Sequence, residues 1–103
     1  MEEPLSIAVA EGRPTIVTLV GDLDLATVST LRAALSRLDG ADLIVDCAEL
    51  QFLDSTGISL FVELGNEREH VGRTMVLRNV TGIPRRTLEI CGLLETFTAA
   101  DGD

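Results

Sequence analysis

Residues 54–57 read Asp-Ser-Thr-Gly, a carboxylate followed by two hydroxyls and a glycine, directly ahead of the apolar-rich run ISLFVEL. A hydroxyl beside a carboxylate can serve as a nucleophile or accept a phosphate. The same residue types also open helices, because a side-chain oxygen at the cap satisfies backbone N–H groups that have no partner in the first turn. Taken locally, Asp54, Ser55 and Thr56 fit a helix cap as well as a reactive site. Asp22 and Asp24, in the stretch GDLD, can likewise shape a turn or cap a helix.

Few other side chains could complete a catalytic centre. His70 is the sole histidine and there is no lysine, so a serine–histidine hydrolase or a metal site is hard to assemble. If Asp54 or Ser55 were the nucleophile of a small hydrolase or phosphotransferase, no activating group stands near it in sequence. The expectation is a protein that is not an enzyme and holds no metal or cofactor. Cys47 and Cys91 sit in apolar contexts, IVDCAEL and LEICGLL, and read as buried free thiols, with a redox pair as the alternative.

A length of 103 residues, 46% of them hydrophobic, suits one compact core, and a single domain over residues 1–103 is expected. The formal charge of -9 repels a phosphate backbone, which argues against direct nucleic-acid binding and favours encounter with a basic protein surface. No apolar run approaches the roughly 20 residues that span a bilayer, and the first residues are acidic where a secretory signal is basic. No membrane insertion and a cytoplasmic location are therefore expected.

The elements that must position the hydroxyls can be read from periodicity. Leu5, Ile7 and Val9 alternate as in a half-buried strand, EGRP (11–14) supplies a turn, and IVTLVG forms a second strand, which together make a hairpin. Leu25, Val28, Leu31, Leu35 and Leu38 then recur at helical spacing, with Asp24 or Thr27 as cap and Gly40 near the end. LIV (43–45) reads as a short buried central strand. A second helix comes next, capped by Asp54 or Ser55, with Ile58, Phe61 and Val62 on its core side and Ser59, Glu63, Asn66 and Glu67 opposite. Leu60 and Leu64 widen its apolar arc, so they face either a partner or a neighbouring helix.

Residues 73–80 hold the strand-like MVLRNV, and TGIP (81–84) opens a helix that stops near Gly92 and exposes Arg85 and Arg86. Residues 94–98 are expected to form a short strand and residues 99–103 a frayed tail. The order predicts an α/β fold: a mixed sheet of about four or five strands that begins with a hairpin, continues through crossover units and carries helices packed over it. The hydroxyl pair then lies on a loop at the end of a parallel strand, a usual place for function.

Three stretches, VGDLDLATVSTLRAAL, LIVDCAELQFLDSTGISLFVEL and NVTGIPRRTLEICGLLETF, resemble the STAS family, in particular its single-domain bacterial anti-sigma factor antagonists. The resemblance runs from about residue 5 to residue 97 and leaves no room for a sensor, kinase or membrane domain. It implies the STAS fold and a partner switch. The unmodified protein binds an anti-sigma factor with serine kinase activity and so releases a sigma factor; phosphorylation breaks the complex, and a phosphatase resets it. The resemblance places the phosphoacceptor at Ser55, with Thr56 the less favoured hydroxyl, and the partner surface at Asp22, Asp24, Asp54, Ser55, Thr56 and Gly57. Leu60 and Leu64 are added from the width of the helical arc. A phosphate on Ser55 would meet the free N–H groups and dipole of a helix start. The competing reading is a STAS scaffold that does not switch, such as an accessory subunit of a signalling or lipid-transport assembly.

Overall fold

A computed structural model describes residues 4–38 and 40–98, so the expected frayed tail lies outside the described residues. The alternating apolar positions form β1 (Leu5–Ala10) and β2 (Thr15–Leu23), paired antiparallel with Ile7 opposite Leu19 and Val9 opposite Val17. β3 (Leu43–Leu53) lies parallel to β2, and β4 (Met75–Arg78) parallel to β3. The result is a mixed four-stranded sheet in the order β1-β2-β3-β4. The helices are α1 (Val28–Ser36), α2 (Ser55–His70), α3 (Gly82–Ile90) and α4 (Leu94–Phe97).

β3 is far longer than the expected LIV run. Its buried side chains are Leu43, Val45, Cys47, Leu50 and Leu53, spaced two, two, three and three apart. The two three-residue steps coincide with register shifts against β2, between Thr18 and Val20 and between Gly21 and Asp22. A β-bulge adds one residue to one strand of a pair and re-aims the side chains beyond it. Two bulges thus carry β3 through Phe52 and Leu53 to the start of α2, while the interrupted alternation conceals the strand in the sequence.

One face of the sheet is sealed by Val17, Leu19 and Leu23 of β2, the buried residues of β3, and Met75 and Leu77 of β4. α1 lies beside α2, joined by the Arg32–Glu63 ion pair, and these helices contribute Leu31, Leu35, Ile58 and Phe61 to the same core. Arg68 of α2 is buried at 2% exposure, and its guanidinium donates to the Leu38 carbonyl at 3.2 Å, which ties the far end of α2 to the turn after α1.

Several expectations need correction. Leu25 is outside the helix it was to line and is 75% exposed, because the Asp24 carbonyl accepts from the N–H groups of Thr27 and Val28 and starts α1 later. Residues 94–97 are a helical turn, not a strand. The N–H and hydroxyl of Thr98 both bond the Leu94 carbonyl, and Phe97 packs on Phe61 with ring centroids 6.2 Å apart. Cys47 is buried as expected, but Cys91 is exposed at the C-cap of α3; both are free thiols.

Candidate functional site

β2 and β3 run parallel, so their C-terminal ends deliver two loops to the same rim of the sheet. Asp22 stands in register with Phe52 and Leu23 with Leu53, and the Asp54 N–H donates to the Leu23 carbonyl at 3.3 Å. The two acidic stretches separated by some thirty residues in sequence are thereby joined through backbone contacts.

Asp54 is the N-cap of α2, in extended conformation. One carboxylate oxygen, Oδ1, accepts from the N–H groups of Thr56 and Gly57, each at 3.0 Å, and from the Thr56 hydroxyl at 2.5 Å. The other, Oδ2, accepts from the Leu25 N–H at 3.3 Å. Burial pushes the Asp54 carboxyl up, but the Thr56 hydroxyl and the three backbone donors outweigh it and hold the group below its ordinary value. Asp54 is therefore a cap and a clamp between the loops.

The two hydroxyls are sorted by this arrangement. Thr56 is half-buried and its hydroxyl is committed to Asp54. Ser55 is the first residue of α2, exposed, and its hydroxyl has no hydrogen-bond partner among the described residues. The helix start is less open to an anion than the sequence suggested, since Asp54 already occupies the N–H groups of Thr56 and Gly57. The helix dipole still attracts a phosphate there, opposed by nearby carboxylates.

Asp22 and Asp24 are half-buried on the same rim. Asp24 helps to shape its own turn: its Oδ1 accepts from the Ala26 N–H at 3.0 Å. Buried Thr27 closes that turn, donating to the Asp22 carbonyl at 2.9 Å while accepting from the Asp24 N–H at 3.0 Å.

Gly57, Leu60 and Leu64 do not belong to the free surface. A Cβ on Gly57 would lie 2.6 Å from Leu53 Cδ1 and 2.9 Å from Leu23 Cγ, so the glycine is where α2 presses onto the two strands. Leu60 and Leu64 are 2% and 4% exposed, so the fold itself covers the wide arc. Sequence reasoning missed Leu25 and Phe52, which are exposed at the rim. The only signal for them was an apolar residue adjoining the acidic motifs. Among the described residues, no three His, Cys, Asp or Glu side chains come together as metal ligands.

Fold and rim together define a STAS domain, and the STAS domain pattern matches residues 6–101; the chain belongs to this family. Its structure is similar to that of the anti-sigma factor antagonist SpoIIAA in its unphosphorylated form, with 26% identity, a TM-score of 0.76, and coverage of 91% of this chain and 86% of that one. An anti-sigma factor antagonist from Mycobacterium paratuberculosis aligns at 23% identity and TM-score 0.72, over 90% of this chain and 82% of that one. The murine anion transporter Solute Carrier 26 family member A9 contains the same fold, with 22% identity and TM-score 0.70 over 86% of this chain and 17% of that one. Among curated proteins, none matches the sequence.

Proposed function

We propose that the chain is an anti-sigma factor antagonist in a cytoplasmic partner switch. Unmodified, it binds an anti-sigma factor that is also a serine kinase, and a sigma factor is released. Phosphorylation of Ser55 ends the complex, and a phosphatase restores the binding form. The observation that carries this reading is the contrast at the start of α2: an exposed Ser55 hydroxyl with no partner among the described residues, beside a Thr56 hydroxyl held by Asp54. The likeness to an antagonist of known unphosphorylated form supports the same role.

The electrostatics give the switch its direction. Phosphate brings about -1.5 to -2 charge at neutral pH. On Ser55 it would join Asp22, Asp24 and Asp54 on one rim, with the Thr56 and Gly57 N–H groups already used. In a docked complex that charge must also lose water. Inverting a 99:1 bound population takes about 5.5 kcal/mol, which an exposed charge does not supply but a buried interface can. Ser55 is accordingly placed at the centre of the contact.

Incubation with the candidate anti-sigma kinase and ATP, followed by mass-spectrometric mapping, tests the assignment. Phosphate is expected on Ser55 and not on Thr56, and Ser55→Ala should keep partner binding while resisting modification. Phosphate confined to other residues, or none, would remove the switch and leave a scaffold using the same surface.

A further inference from the structure

We propose that Leu25 and Phe52 are the apolar anchors of the docking surface around Ser55, and that the partner meets them with an apolar pocket edged by basic side chains. This rests on the partner-switch reading and replaces Leu60 and Leu64, which the fold buries.

Leu25 is 75% exposed and is held in place, since its N–H donates to Oδ2 of the carboxylate that caps the Ser55 helix. Phe52 is 41% exposed, whereas Phe61 and Phe97 are core residues. The second bulge in β3 sets Phe52 opposite Asp22, on the side of the sheet away from Leu23 and Leu53. Val20, two residues before Asp22 on the same side of β2, is also exposed. Ser55 thus has a leucine on the loop clamped to its cap and an aromatic ring three residues before it. Single exposed apolar residues are ordinary; here there is one on each of the two segments that meet at the rim carrying a modifiable hydroxyl.

Charge specifies the occupant. The two segments that meet at the rim, residues 14–31 and 38–67, contain no lysine or arginine, while Asp22, Asp24, Glu49 and Asp54 all fall within them. A complementary surface is therefore basic at its edge and apolar where Leu25 and Phe52 insert, in keeping with interfaces whose anchors are desolvated and whose rims are polar. A kinase surface of that kind also brings its active site to Ser55, so the phosphate appears inside the contact it must disrupt.

The test uses the full chain and the anti-sigma kinase that modifies Ser55 in the mapping experiment. Leu25→Ala and Phe52→Ala should each weaken binding by about 10-fold or more in titration calorimetry. They should raise KM for phosphorylation of Ser55 with little change in kcat. Ile90→Ala, an equally exposed apolar residue at the end of α3, should leave affinity within about 2-fold. Thermal unfolding identifies any variant that has lost its fold. Leu25→Glu, on an exposed turn, decides the matter if Phe52→Ala does not fold, with a larger loss than Leu25→Ala expected. Unchanged affinity in the folded Leu25 variants overturns the anchors and leaves the switch standing. A wild-type chain that the kinase neither binds nor phosphorylates overturns both.

Discussion

At the start of α2, Asp54 does more than cap a helix. Its four accepted hydrogen bonds hold Thr56, Gly57 and the Leu25 loop together, while the neighbouring Ser55 hydroxyl has no partner among the described residues. Asp54→Ala should therefore cost about 0.5–2 kcal/mol of stability at pH 7, the range for losing a helix cap. The carboxyl is held below its ordinary value in the fold, so its contribution is complete above the unfolded carboxylate value, roughly 3.9, and is lost as pH falls through the lower folded value. Urea unfolding should show the gap between wild type and Asp54→Ala closing at acid pH; a gap independent of pH would contradict the role of the charge. The cysteines separate just as clearly. Burial, with the charge of Asp46 adding to it, pushes the Cys47 thiol up to about 12, while Cys91 is exposed. A thiol reagent at pH 8 should label Cys91 in the folded protein and Cys47 only on unfolding, and equal rates would contradict the burial of Cys47.

Among the elements, α2 was legible because 3.6-residue spacing survives in single letters: Ile58 and Phe61 face the core and Ser59, Glu63, Asn66 and Glu67 face out, whereas the four-residue α4 is too short to show a period. β3 was legible only at its beginning, since its two bulges break the period-two alternation on which strand recognition depends. The same bulges place Phe52 at the rim, so the hidden part of the strand and the overlooked site residue have one cause. Leu60 and Leu64 could not be assigned from the sequence because an apolar arc does not say whether a helix or a partner covers it. Gly57 marks the contact between elements: α2 starts on top of Leu23 and Leu53 without room for a methyl group. Gly57→Ala should destabilise by about 1–3 kcal/mol, an overpacking penalty, despite alanine's better helix propensity. Chemical denaturation measures it, and a stabilised variant would mean that the strands yield easily.

For the whole molecule, the net charge of -9 sets the kind of encounter the rim can make. In the proposed switch a basic partner would be drawn to it at low salt, and a phosphate on the same acidic rim would turn local attraction into repulsion and a desolvation cost. The family pattern and the sheet order place the chain among STAS domains, a fold also present within an anion transporter, so the fold alone does not give the switch. The proposed switch rests on Ser55 and its surroundings. The affinity of the anti-sigma factor for unmodified and stoichiometrically Ser55-phosphorylated protein, measured by calorimetry in one buffer, is the most direct test. Phosphorylation should weaken binding by at least about 100-fold, equivalent to roughly 2.7 kcal/mol. Equal affinity of the two forms would contradict the account.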